Sequence, residues 1–401
     1  MKNNRTFLEK LLDGAEVEWK PLKDILIRTK GTKITAAEMK VLHKDNAPLK
    51  IFAGGKTFAL VNFEDIPEKD INKNPSIIVK SRGIIEFEYY DKPFSHKNEM
   101  WSYYSNDKNI NIKYIYYVLK NQEPYFQNLG SKMQMPQIAT PDTDKYLVPI
   151  PPLSVQTEIV KILDALTALT SELTSELILR QKQYEYYREK LLSEEELGKV
   201  GFEWKPLKEI AEYIRGVTYN KTNESPNNIG YKILRANNIT LSSNTLNFDD
   251  IKVIKFDTKV KSSQMLYKND ILISAASGSR EHVGKVAFIY QDIDYYFGGF
   301  MGVIRCNNNV NSRYLFHIFT SSIFQDYLNE VLNSSTINNL NSKVMDSFRL
   351  PIPPLSVQTE IVKILDKFEN LTNSITEGLP LAIEQSQKRY EYYRELLLSF
   401  S

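Results

Sequence analysis

The side chains best suited to recognition chemistry sit in short polar stretches: Arg235-Ala236-Asn237-Asn238, Ser277-Gly278-Ser279-Arg280 and Ser334-Ser335-Thr336. Arginine, asparagine and serine supply the donors and acceptors that hold a phosphate or read the edge of a base. Lys80, Arg82, Lys97, Asn98, Lys132, Gln134 and Arg215 offer similar groups in expected turns or at strand ends. Bond-breaking chemistry is poorly provided for. Gly55-Lys56-Thr57 has the end of a phosphate loop, but Lys50 stands where the first glycine is required. Pro141-Asp142-Thr143-Asp144-Lys145 has part of the acidic-lysine signature of metal-dependent nucleases without its spacing. Four scattered histidines (His43, His96, His282, His317) and the lone Cys306 show no metal-ligand spacing, so no metal is expected. One cysteine allows no internal disulfide and fits a reducing cytosol.

A duplicated frame must position these groups. PIPPLSVQTEIVKILD occurs at 149–164 and again at 351–366, an offset of 202. YEYYRE recurs at Tyr184–Glu189 and Tyr390–Glu395, and EWKPLK at Glu18–Lys23 and Glu203–Lys208, an offset of 185. Identical words separated by dissimilar sequence are the signature of an internal repeat. Glu9-Lys10-Leu11-Leu12 also echoes Glu189-Lys190-Leu191-Leu192. The chain therefore divides into an N-terminal fragment completing the second repeat (1–23), variable domain one (24–148) and helical spacer one (149–208). Variable domain two (209–350) and helical spacer two (351–401) follow.

The net charge of +2 hides a tilt. Segment 24–148 has 18 Lys+Arg against 15 Asp+Glu, and segment 209–350 has 15 against 13. The remainder has 18 against 21, so the variable parts are mildly basic and the helical parts mildly acidic. No apolar run reaches the ~18–20 residues needed to span a bilayer, and the start MKNNRTFLEK lacks a signal-peptide core. A soluble, cytoplasmic protein is expected.

Both variable domains read as mixed α/β. The first has β-type runs at Lys50–Phe52, Phe58–Val61, Ser76–Val79 and Ile84–Tyr90, then a helix over Ile112–Asn121. The second has runs at Tyr231–Leu234, Ile251–Ile254, Asp270–Ser274, Val283–Tyr290 and Met301–Arg305, then a helix over Ser312–Val331. The prolines of each PIPPL give a rigid, extended lead-in, and Ser154 is a good N-cap for the helix that follows. Apolar residues then recur at Val155, Ile159, Ile162, Leu166, Leu169 and Leu173, and resume at Leu177, Tyr184, Tyr187 and Leu191. This is a coiled-coil seam with one stutter, about 37 residues or roughly 55 Å long. The second copy runs through Val357, Ile361, Ile364, Phe368, Leu371 and Ile375, and Glu377-Gly378-Leu379-Pro380 must interrupt it. Two matching seams in one chain should pack antiparallel about a pseudo-twofold axis.

Two unlike domains, each followed by PIPPLSVQTEIVKILD and then QKQYEYYRE (181–189) or QKRYEYYRE (387–395), resemble the specificity subunit of type I restriction–modification systems. The resemblance covers essentially the whole chain. It implies two target-recognition domains held apart by a long antiparallel two-helix coiled coil, each reading half of a bipartite site in double-stranded DNA. It further implies that the helices dock two methyltransferase subunits, which bind S-adenosylmethionine, and that restriction/translocase subunits join them. The docking and spacer positions it points to are Leu153, Gln156, Ile159, Ile162, Leu166, Tyr184 and Tyr187, with Leu355, Gln358, Ile361, Ile364, Tyr390 and Tyr393 in the second copy. The chain itself is then no enzyme and binds no cofactor. Accordingly, Leu153 and Leu355, not aromatics, follow the Pro-Pro pairs, so the N/D-P-P-Y/F/W motif of adenine methyltransferases is missing. Two rivals remain at this point: a coiled-coil adaptor joining two protein-binding domains without DNA contact, and a self-contained methyltransferase–nuclease.

Overall fold

The computed structural model describes residues 6–131, 135–241, 243–333, 339–374 and 377–400. Lys132, Gln134, the Ser334-Ser335-Thr336 turn and Ile375 lie outside the described residues. The chain folds as two compact units: Met1–Glu172 with Ile383–Ser401, and Leu173–Ala382.

In the first unit, helix α1 (Phe7–Leu12) precedes a strand, Glu18–Pro21, that pairs antiparallel with Leu147–Ile150 and sets Trp19 opposite Pro149. An antiparallel sheet has the order Ile27–Thr29, Trp101–Tyr104, Ser76–Lys80, Glu86–Tyr90. A smaller sheet has the order Phe58–Val61, Leu49–Phe52, Phe94–His96, its last pair parallel. Helix α2 (Ile112–Asn121) buries Tyr114, Ile115, Val118 and Leu119 in the core that also holds Ile77, Val79, Phe87 and Tyr103. Burying these large apolar faces is the main driving force for the domain. The long helix α3 (Leu153–Leu191) starts here, 39 residues without interruption.

The second unit repeats the plan. Its sheets have the orders Ala211–Arg215, Met301–Cys306, Ile271–Ser274, Val286–Phe288 and Lys252–Ile254, Tyr231–Leu234, Ile293–Phe297, Met265–Leu266. Here too one neighbouring pair, Tyr231–Leu234 with Ile293–Phe297, is parallel. Glu203–Pro206 pairs with Arg349–Ile352 and sets Trp204 opposite Pro351. The helix expected over 312–331 is two, α4 (Ser312–Phe319) and a segment Ser322–Asn333. Thr320 and Ser321 part them, donating their hydroxyls to the carbonyls of His317 and Ile318. The strands expected from 84 and 283 begin later, at Glu86 and Val286, after Gly83 and Gly284 take positive φ.

The second spacer is broken as its sequence requires, into α5 (Leu355–Asn373) and α6 (Gly378–Leu398). Gly378 has φ +83°, and a Cβ there would lie 2.7 Å from the Asn370 carbonyl oxygen, so glycine is needed at the corner. In the first unit α3 runs antiparallel to α6: Thr170 bonds Ser386 (2.8 Å), while Val155 and Ile159 share a core with Leu397 and Leu398. Leu8 of α1 joins that same core. In the second unit α3 runs antiparallel to α5: Tyr187 stacks on Phe368 at 5.4 Å, and Leu192 shares a core with Ile361 and Leu365.

Val155, Ile159 and Ile361 are buried where the seam expects them, and beyond these the buried face shifts by one residue. Leu163 and Leu365 are fully buried, whereas Ile364 is 40% exposed and Ile162 and Leu166 are half-buried. Each helix packs on its α/β domain as well as on another helix, so the buried face turns toward the larger surface.

Candidate nucleic-acid interface

The repeated glutamine fastens each recognition domain to its helix. Gln156 and Gln358 are buried, and their Oε1 atoms each accept from a backbone N–H, of Asn111 and Asn311, at 2.9 Å. Their Nε2 groups donate at 2.8 Å to the carbonyls of Pro151 and Pro353. Asn111 and Asn311 cap α2 and α4, and Tyr114 and Tyr314 donate to the carbonyls of Pro149 and Pro351. The words PIPPL and SVQ thus form a joint in both copies: each proline carbonyl of the corner has a partner.

A second tie is charged. Lys113 pairs with Asp164 at 2.7 Å, and its counterpart Arg313 pairs with Asp366 at 2.6 Å and also with Glu369. Buried His317 donates Nε2–H to Asp366 (3.0 Å) and accepts from the Tyr184 hydroxyl at Nδ1 (3.3 Å), which defines the neutral tautomer. Burial lowers the His317 pKa, and burial pushes the Tyr184 hydroxyl up to about 12. Burial opposes ionisation of Asp366, but its bonds to His317 and Arg313 prevail and its pKa is lowered. His317, Asp366 and Glu369 bring potential metal ligands within 4.8 Å, but the Arg313 guanidinium already pairs with both carboxylates. They form a structural ion-pair network.

Each unit has a cationic cleft beside a glycine that the fold demands. In the first, a Cβ on Gly31 would lie 2.4 Å from the His96 carbonyl oxygen; in the second, a Cβ on Gly216 would lie 2.0 Å from that of Gly298. These close approaches bring the start of each domain against the loop leading into its central strand, through the bridges Thr32–Lys97 and Val217–Gly298. The first cleft, of about 910 Å³, is lined by Arg28, Lys30, Lys33, Lys69, Asn98 and Trp101 among others. Asn98, with its amide nitrogen turned inward, donates to the Gly31 carbonyl at 2.8 Å. Arg82 and Lys97 line a neighbouring hollow of about 760 Å³ with His43, Phe58 and Met135, and Lys97 pairs with Glu99 at 2.6 Å.

The second cleft, of about 650 Å³, brings together Arg215, Arg235 and Asn237 with Lys221, Tyr219 and Phe300. Asp250 orients two of them, accepting from Arg235 at 2.6 Å and from Asn237 at 3.1 Å. Ser277 and Ser279 form a local turn, the Ser279 N–H donating to the Ser277 hydroxyl. Arg280 is exposed and directed at Asn329 (3.4 Å), and it does not line this cleft.

Two of the polar groups named from sequence are committed inside the fold. Lys80 is buried between Glu86 (3.3 Å) and Glu88 (2.9 Å); desolvation opposes its charge, but the carboxylates outweigh it and its pKa is raised. Asn238 is fully buried and ties the Arg235 N–H to the Asn247 and Asp250 carbonyls. Conversely, sequence reasoning passed over Lys30, Lys33, Lys69, Lys221 and Phe300. A signal was present: Lys30-Gly31 and Arg215-Gly216 are separated by 185, the offset of EWKPLK. Of the spacer positions, Ile159 and Ile361 are buried, Tyr390 and Tyr393 pack on the first core, and Leu153 and Leu355 remain 41% and 49% exposed.

A doubled α/β domain on a doubled helical frame, with a cationic cleft in each half, is the build of a recognition protein with two separate reading heads. Residues 15–180 and 199–385 match the family described as the type I restriction modification DNA specificity domain. The chain belongs to that family, the DNA-specificity subunits of type I restriction–modification systems. A protein of Haemophilus influenzae, named as a type I restriction enzyme specificity subunit, is 38% identical over the full length of both chains. The Escherichia coli EcoR124I/EcoR124II specificity subunit is 33% identical, covering 98% of this chain and 97% of its own. The crystal structure of a type I S subunit from M. genitalium shares the fold with a TM-score of 0.60 at 15% identity, covering 97% of this chain and 98% of its own. Among the described residues no helix is long and apolar enough to cross a membrane.

Proposed function

We propose that the two clefts read the two halves of one bipartite site in double-stranded DNA, one half per unit. The observation that carries this reading is the paired corner, Lys30-Gly31 and Arg215-Gly216, opening a cationic cleft at the same place in each domain. Lysine and arginine there hold phosphates and set register, while Asn98, Asn237 and the arginines face base edges. Two copies of one methyltransferase subunit dock on the repeated frame. Its supporting feature is a set of apolar side chains left exposed twice: Trp19 and Trp204 (48% and 37%), with Leu153 and Leu355. S-adenosylmethionine belongs to that partner, restriction/translocase subunits join the complex, and this chain acts in the cytoplasm without catalysing a step. Burial supports the last point for Cys306, whose thiol is pushed up to about 12 and so is no nucleophile.

The test is co-expression with the methyltransferase subunit followed by sequencing of methylated positions. The expected motif has two defined parts separated by an unspecified gap, and duplex binding weakens steeply with salt. A complex that assembles but leaves DNA unmethylated and unbound would favour the adaptor reading.

A further inference from the structure

The second cleft holds a side chain that phosphate contact does not explain. Phe300 is 74% exposed, yet its backbone is bonded to neighbouring segments. Its carbonyl accepts from the N–H groups of Ala275 (2.8 Å) and Ala276 (3.1 Å), and Met301 N–H closes the turn onto the Gly298 carbonyl at 2.7 Å. Gly216 N–H donates to the Met301 carbonyl, and Gly298 N–H to that of Leu234. One bond within the turn and four to three other segments thus fix the tip on which the ring stands. An apolar ring held out in water by a fixed backbone gains nothing for the fold, since burial is what stabilises apolar surface. Around it stand Arg215, Arg235 and Asn237, groups suited to phosphates and base edges.

We infer that Phe300 is a specificity-determining residue of the second domain, making an apolar contact with a base of the half-site while the surrounding cations hold the backbone. This rests on the reading that the cleft meets duplex DNA. Phenylalanine makes such contacts against the thymine 5-methyl group or by pressing on the face of an opened base step. A tip whose backbone is already fixed presents the ring without having to order a loop on binding.

The experiment uses the complex of this chain with its methyltransferase subunit and a duplex carrying the motif found by methylation sequencing. A second duplex has the half-site of the second domain scrambled. Phe300→Ala should weaken binding to the first duplex about tenfold, the loss of one base contact, and leave the second unchanged. Phe300→Leu, which keeps apolar bulk, should lose less. Replacing thymines of that half-site by deoxyuridine identifies the methyl if the native complex weakens and Phe300→Ala does not. A rise in 2-aminopurine fluorescence that needs Phe300 identifies the opened step instead. The inference is overturned if Phe300→Ala binds the first duplex as tightly as the native chain, or weakens both duplexes equally. Arg215→Ala serves as the companion: if it weakens binding while Phe300→Ala does not, the cleft meets DNA without the ring. If neither changes affinity, the cleft is not the interface.

Discussion

Replacing Gln358 by leucine tests the joint between recognition domain and helix. The side chain is 1% exposed, so the near-isosteric leucine keeps its volume and removes only two hydrogen bonds. It leaves the Asn311 N–H and the Pro353 carbonyl, both bonded at under 3 Å in the native joint, without partners in the core. Orphaning a buried polar group costs about 1–3 kcal/mol, so the pair should destabilise the joint by about 2–6 kcal/mol. The repeat supplies an internal comparison. Gln156 makes a third bond, Nε2 to the Asn109 carbonyl at 3.0 Å, so Gln156→Leu should cost about 1 kcal/mol more. Hydrogen exchange read by mass spectrometry separates the two joints, because peptides over 109–121 and 311–319 report them independently. Each variant should speed exchange roughly 30-fold or more in its own peptide and leave the other unchanged. A change below threefold at either site, with the fold intact, would refute the reasoning that these glutamines hold the domains on the frame.

Other expectations concern spacing, pH and charge. Residues 170–177 are a tandem TSEL within unbroken α3; deleting one unit removes about 6 Å of rise and some 40° beyond a full turn. Methylation sequencing should then show both half-sites unchanged and the gap shorter by one or two base pairs. His317 is held neutral, so below its ordinary value of 6.5 the unfolded chain takes up a proton that the folded chain refuses. Stability of the second unit should therefore fall as pH drops from 6.5, by at most about 1.4 kcal/mol per pH unit, with urea titration as the check and a His317→Gln variant lacking that slope. Asp366, its pKa lowered, adds a further loss only as the pH falls below 3.8. Arg215→Ala should weaken duplex binding by about 1–3 kcal/mol and Arg280→Ala by less, since Arg280 points to Asn329; fluorescence anisotropy compares them.

The frame was legible because repetition needs no knowledge of contacts. Identical words at constant offsets located the joints and the long helix, and Glu377-Gly378-Leu379-Pro380 foretold an interruption, which falls between Asn373 and Gly378. The family and its DNA-recognition role followed from the same words. What the words did at atomic scale was not legible: the resemblance marks Gln156 and Gln358 only as docking or spacer positions, yet both are buried locks. Beyond Ile159 and Ile361 the seam moved by one residue because an isolated pattern does not show that a helix has two neighbours. Among the polar groups, Lys80 was misread because its partners lie across a hairpin, where Lys80 faces Glu86 in register. Asn238 looked as available as Asn237, and only the fold turned one inward. The lysines of the first cleft come from separate turns, Lys30 and Lys33 from one and Lys69 from another, and sequence order gives no reason to join them.

Exchange of residues 209–350 for the corresponding segment of another specificity subunit tests the central claim, that each unit reads its own half-site. The exchanged chain keeps PIPPL, EWKPLK and both spacers, so it should assemble with the same methyltransferase subunit. Sequencing of methylated positions should show one half of the motif replaced and the other half unchanged. A motif in which both halves change, or neither does, would contradict the account.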